Sequence, residues 1–317
     1  MSNQSMLQFM KSQVTGFKKS DTRLKFSAGN AKLDGIFNLS LPAGHACPFA
    51  KECQSRTVQS KLNPCGFGIQ DGPQTKWRCF AATDESKYPA TRNQRWFNFL
   101  TILEQKNINS LVMLLERSLP VSKWGAPIRI HVSGDFFSQM YFDAWLKVAE
   151  NNPKQVFYAY TKALPYWVKR LGDIPKNFKL TASFGGTHDY LIAKHKLKYA
   201  QVVFTPQEAA DLKLELDHDD KHAYSGKKSF ALLLHGTQPA GSPAAKAWSA
   251  LKKNKMGGYG TQKTGRAAVS NGGGTTTLSR PGAKSVSTGI HIGNNEYVLQ
   301  TKTIKGTKES FNYQLID

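Results

Sequence analysis

Cysteine is scarce in this chain and confined: the 4 present, Cys47, Cys53, Cys65 and Cys79, share one short stretch and none occurs elsewhere. The segment Met1 to Val14 is polar and lacks the apolar core of a secretory signal, which argues for a reducing, cytoplasmic setting and against disulfides. Long apolar runs are missing too, so no bilayer span and no membrane partner are expected. Acidic residues are few, 22 Asp and Glu against 43 Lys and Arg, for a formal charge of +21. Gly-x-Ser-x-Gly, His-Glu-x-x-His and the nucleotide-binding glycine patterns are all absent, which removes the commonest serine hydrolase, zinc protease and P-loop classes.

A hydrophobic content of 40% with 11% aromatics is enough for a buried core, so the chain is globular. In a reducing compartment, crowded thiols are usually ligands, because metal-binding side chains must converge on one ion or cluster. The gaps between the cysteines are irregular and lack the tight ligand pairs of structural zinc, so an iron–sulfur cluster is expected first and zinc second. His45, beside Cys47, is a further donor for a mixed site, or a solvated turn histidine.

The basic excess favours a polyanionic partner, and nucleic acid, DNA or RNA, is the leading candidate. No Asp or Glu lies between Lys221 and Asn295. Within that span Lys252, Lys253, Lys255, Lys263, Arg266, Arg280 and Lys284 sit among Gly, Ser and Thr, a composition expected of a flexible loop that tracks phosphates, with Tyr259 placed to stack on a base. A solubilising linker is the plain alternative.

The middle of the chain alternates β-branched or aromatic runs with amphipathic stretches. Strands are predicted at Ile128 to Ser133, Gln155 to Thr161, Phe178 to Ser183, Ala200 to Phe204 and Ser229 to His235. Helices are predicted at Tyr141 to Glu150, Pro165 to Leu171 and Pro206 to Lys213, with a longer helical region from Arg92 to Arg117. The fold class is therefore α/β, with parallel βα repeats forming a complete or partial barrel. The expected organisation is a cysteine-rich and helical segment at 1–120, a βα core at 121–251, a basic loop at 252–289 and a small β-rich hairpin tail at 290–317.

In such folds functional side chains gather at the C-terminal ends of the strands. That rule selects His131, Ser133, Asp135, Lys162 and His235 as catalytic candidates, each with a plain alternative as a cap, a core residue or an exposed lysine. Asp217, Asp219 and Asp220, flanked by His218 and His222, form either a second, divalent metal site suited to phosphodiester cleavage or a solvated acidic turn.

Several of these motifs recur together. Phe26-Ser-Ala-Gly-Asn-Ala-Lys-Leu, Leu41-Pro-Ala-Gly-His-Ala-Cys47-Pro with Cys53, Cys79-Phe-Ala, His131-Val-Ser-Gly-Asp-Phe and Tyr158-Ala-Tyr-Thr-Lys162 resemble the phage gene product 88 family, itself uncharacterised. The likeness implies a bacteriophage or prophage origin, hence the host cell cytoplasm and a host protein as a further candidate partner, and equates Cys47, Cys53 and Cys79 with the family's cysteines. The insertion carrying Cys65 departs from that pattern and leaves open whether the fourth cysteine is a ligand. Three cysteines ahead of a βα series also resemble radical S-adenosylmethionine enzymes at the level of fold, without their tight spacing. That resemblance implies S-adenosylmethionine as a cofactor, backbone contacts from Gly185-Gly186, and Lys162 or His235 facing the reacting centre. The expectation is a metal protein, iron–sulfur before zinc, that binds nucleic acid. It is either an enzyme acting on that partner, a zinc-stabilised module without chemistry, or a metal-dependent nuclease.

Overall fold

The computed structural model describes residues 23–28, 35–60, 66–121 and 125–254, with Gln8, Met10, Lys11, Leu33, Met256 and the backbone of three strands beyond residue 288. The chain divides into two compact units, Met1–Lys263 and Thr264–Asp317.

The first unit is α/β. Strand β1 (Asn38–Leu39) is followed by a hairpin of β2 (Ser55–Gln59) and β3 (Phe67–Asp71), then by helices α1 (Phe80–Lys87), α2 (Pro89–Leu103) and α3 (Ile108–Ser118). The repeats then run β4 (Ile128–Ile130), α4 (Gln139–Asn151), β5 (Phe157–Thr161), α5 (Leu164–Val168), β6 (Phe178–Ser183), α6 (Tyr190–Lys194), β7 (Tyr199–Val203) and α7 (Pro206–Asp211). They end with β8 (Glu215–Leu216), α8 (Lys221–Tyr224), β9 (Phe230–Leu233) and α9 (Pro243–Lys253). Local chemistry sets the helix starts. The side chains of Asn107, Ser138, Thr205 and Ser242 each accept the backbone N–H three residues on, and Pro206 and Pro243 follow two of these caps. The Asn107 cap also explains why the expected single helical region from Arg92 to Arg117 is two helices: α2 ends at Leu103 and the cap starts α3 anew.

Seven strands form one parallel sheet in the order β1-β4-β5-β6-β7-β9-β8. The complete barrel envisaged from the sequence does not form. Both outer strands, β1 and β8, are only two residues long, and among the described residues nothing pairs one with the other. Because the strands from β1 to β7 follow one another across the sheet, right-handed crossovers put their helices on one face. Period-two alternation sorts the side chains accordingly. Ile128, Ile130, Phe157, Ala159, Phe178 and Leu180 enter the main core with Trp145, Trp167 and Leu191 from the helices. Tyr158, Ala200 and Phe230 point to the other face, where Leu33, Ile36 and Ala223 cover them. Among the described residues no helix is long and apolar enough to cross a membrane.

In the second unit, β10 (Gly289–Ile292), β11 (Asn295–Leu299) and β12 (Tyr313–Leu315) pair antiparallel in that order. The turn predicted at Gly293-Asn294-Asn295 falls partly outside the described residues.

Candidate functional site

Two separate segments of chain meet the strand ends at the C-terminal rim of the sheet. The segment after β1 carries Cys47 and Cys53, and the segment after the hairpin carries Cys79, the residue that caps α1. Backbone hydrogen bonds fasten the first segment to the strand ends. Leu41 donates to the Ser133 carbonyl at 2.8 Å, Asp135 donates to the Ala46 carbonyl at 3.1 Å, and Glu52 donates to the Gly185 carbonyl at 2.9 Å. The second segment is fastened to the first, because Lys76 and Trp77 both donate to the Glu52 carbonyl and Cys79 donates to the Ser55 hydroxyl. Gly44 makes the fit possible: at φ +70° it occupies the left-handed region, and a Cβ there would lie 2.5 Å from the Ser55 carbonyl oxygen.

The result is a trio of free, half-buried thiols, Cys47, Cys53 and Cys79. Burial pushes the Cys79 thiol up to about 12, with the charge of Cys53 adding to it. Burial likewise holds the Cys47 thiol well above its usual range, reinforced by Asp135, Cys79 and Cys53. At neutral pH the upward shift keeps Cys47 and Cys79 as neutral thiols, and a metal would have to displace their protons to bind. Among the described residues no three His, Cys, Asp or Glu side chains close on one point as ligands of a single ion do. A multinuclear cluster spans more space and accepts thiolates set farther apart. Cys65 lies outside the described residues. His45 is not a solvated turn residue: its ring is hydrogen-bonded to the Thr57 carbonyl at 2.9 Å and packs on Trp96, and burial lowers its pKa to about 4.

Cys53 and Cys79 also line a cavity of about 300 Å³ on the sheet face opposite the helices of the βα repeats. Its floor comes from inward positions of the strands and their ends, among them Arg129, Tyr160, Lys162 and Ser183, and its wall from Trp77, Arg78, Phe80, Asp84 and His235. Lys162 is buried and donates through Nζ to Ser183 Oγ at 2.5 Å and to the carbonyls of Ser183 and Phe184 at 3.1 and 3.0 Å. Arg129 pairs with Asp220 at 2.6 Å, and Arg78 forms an ion pair with Asp71. His235 stacks on Phe80 with ring centroids 4.7 Å apart. Asp84 differs from the other charged groups of the wall: its carboxylate makes no hydrogen bond or ion pair among the described residues, and burial raises its pKa.

Of the other strand-end candidates, Asp135 stands behind Cys47, accepting from Thr161 Oγ1 at 2.6 Å and from the Lys162 and Phe136 backbone N–H groups at 2.7 Å. Burial raises its pKa to about 6 against the pull of these donors. Ser133 is buried and its hydroxyl reaches Glu85 Oε1 at 3.4 Å. His131 is buried in a positive-φ conformation with its ring against Phe136 and Tyr141, apart from the cavity lining. The Gly185 and Gly186 N–H groups, expected to meet a cofactor, are already given to the two oxygens of Asp189, at 2.8 and 2.9 Å.

The acidic run is divided between roles. Asp217 and Asp220 are buried, the first bound to His222 at 2.7 Å and the second to Arg129 and the hydroxyls of Tyr158 and Tyr160. Asp219 pairs at the surface with Lys221 at 2.8 Å. Of the basic candidates, Lys252 and Lys253 occupy the exposed end of α9, with Lys252 over the Trp248 ring. Lys255, Tyr259, Lys263, Arg266, Arg280 and Lys284 lie outside the described residues. Sequence reasoning missed Trp77, Phe80, Asp84, Arg129 and Tyr160. Arg129 and Tyr160 were accessible from period-two alternation with Lys162, and Phe80 and Asp84 from their one-turn spacing after Cys79.

No curated protein and no solved structure matches the chain. A family model does, over residues 15–255. That match takes in β1, the three thiols and every repeat up to α9, and the chain belongs to the family described as Gene product 88.

Proposed function

We propose that this protein is an iron–sulfur enzyme of phage origin that acts on a nucleic acid, with Cys47, Cys53 and Cys79 holding the cluster at the rim of the sheet. The observation that carries the reading is that these three thiols, from two separate segments, lie within electrostatic range of one another, with Cys53 and Cys79 on a cavity at the strand ends. The donor type fits, because thiolates are the usual ligands of such clusters. Cys47, Cys53 and Cys79 would hold such a cluster, which would supply electron transfer and a place for a ligand from outside, for which S-adenosylmethionine is the candidate. The chain's own residues shape the surroundings. Asp135 puts negative charge behind Cys47, Lys162 holds the ends of β5 and β6 together, and the Trp77, Phe80 and Leu234 side chains limit water around Cys53 and Cys79.

The nucleic-acid part rests on charge. The +21 excess and the acid-free span that includes Lys252 and Lys253 favour phosphate contacts, and the host cytoplasm is the setting such a partner requires.

Anaerobic purification with iron, sulfide and zinc analysis tests the reading. Iron with sulfide is expected in the wild type and in Cys65→Ala, and is expected to be lost in Cys47→Ala, Cys53→Ala and Cys79→Ala. Stoichiometric zinc without sulfide would replace it with a zinc-stabilised binding module.

A further inference from the structure

The cavity beside the thiols has a chemistry of its own. It holds about 300 Å³, at the small end of ligand pockets, and its wall is largely apolar and aromatic, with the Phe80 and His235 rings in contact and Trp77 beside them. The charged groups that line it are mostly committed elsewhere. Arg78 is held by Asp71, Arg129 by Asp220, and Lys162 by Ser183 and Phe184. Asp84 is the exception: it sits one helical turn from Phe80 on α1, so both face the same way, and its carboxylate has no hydrogen-bonding partner among the described residues. Arg95, paired to Glu85, and Lys87 lie within electrostatic range of it. Asp84 is half-buried, so its carboxylate, which no protein donor meets among the described residues, is left to water or to a donor on a ligand.

We infer that the cavity binds a nucleoside-sized ligand that joins a flat unsaturated ring to a hydrogen-bond donor or positive charge, the ring against Trp77, Phe80 and His235 and the donor on Asp84. Aromatic walls favour planar rings and cations alike, and an unpaired carboxylate rejects an anion at that end. The ligand's role in the reaction rests on the iron–sulfur reading above; its binding does not.

The test uses the full-length protein stripped of metal, titrated by calorimetry with adenosine, cytidine and S-adenosylmethionine. Saturable binding of at least one probe is expected, weakened about tenfold or more in Asp84→Asn, the loss of one charge-assisted hydrogen bond. Binding of the uncharged nucleosides would place a hydroxyl or amino donor on Asp84, and binding of S-adenosylmethionine alone a positive charge; both support the inference. Failure of all three probes at millimolar concentration overturns it, as does unchanged affinity in Asp84→Asn. Thermal melting checks that variant's fold, and Asp84→Ser serves should it not fold. Because the titrated protein carries no metal, loss of ligand is read independently of the iron and sulfide analysis.

Discussion

Gly134 rests against Leu41 so closely that a Cβ on the glycine would lie 2.5 Å from the Leu41 Cβ, and at φ +84° the glycine also holds a conformation that other residues rarely adopt. The contact joins the loop after β4 to the segment that leads into Cys47. Gly134→Ala is expected to destabilise the protein by about 2 kcal/mol or more. It should also lower bound iron, because the segment carrying Cys47 must shift. Urea unfolding with iron analysis checks both, and an unchanged midpoint would show that the contact relaxes without cost.

His131 supplies a pH dependence. Burial, aided by Arg129, lowers its pKa to about 3. Since the unfolded chain takes up this proton first, the contribution of the neutral ring is complete above the ordinary histidine range and is lost as pH falls toward 3. His131→Asn keeps a residue tolerant of the φ of 68° found there. On going from pH 7 to pH 4 the wild type should lose roughly 3 kcal/mol more stability than the variant. Parallel curves would show that the ring is reachable by water.

The Arg129–Asp220 pair is structural. Asp220 is 1% exposed and accepts from Arg129, Tyr158 and Tyr160. Asp220→Ala removes the buried carboxylate that Arg129 and both tyrosine hydroxyls meet and is expected to cost about 3 kcal/mol by denaturant unfolding. Magnesium should leave the wild-type unfolding midpoint unchanged; a shift would favour the divalent-metal reading of Asp217, Asp219 and Asp220.

Nucleic-acid binding should respond to charge reversal at Lys252, Lys253 and Lys255. Fluorescence anisotropy against salt is expected to show weaker affinity on every sequence tried, with the slope reduced by about 0.9 for each phosphate that the protein no longer neutralises. An unaltered slope would identify the segment as a solubilising linker.

The alternation of Ile128, Ile130, Phe157, Ala159, Phe178 and Leu180 made the central strands legible in the sequence, and their ends led to Asp135 and Lys162. Elements held by only a few residues were not legible. β1 and β8 are two residues each and carry no periodicity, and the β2–β3 hairpin is joined across residues 60–66 without a short turn signal. α9, at Pro243–Lys253, did have the signal of a serine cap followed by proline, but its lysines and alanines read more strongly as charge than as a helix. At the site, Cys47, Cys53 and Cys79 stood out as a residue type. Asp84 did not, because a lone carboxylate on a short helix is distinguished only by what fails to meet it in three dimensions.

The last strand of the sheet is also the one that joins its neighbours: β9 lies between β7 and β8, both of which precede it in the chain. A ribosome that has released everything up to residue 228 has made all three thiols but neither the strand that β7 and β8 share nor Leu232, Leu234 and His235 of the cavity wall. The three thiols are therefore in the chain while the adjoining chamber is still open on one side, and the chamber gains its last wall only when synthesis of the sheet is complete.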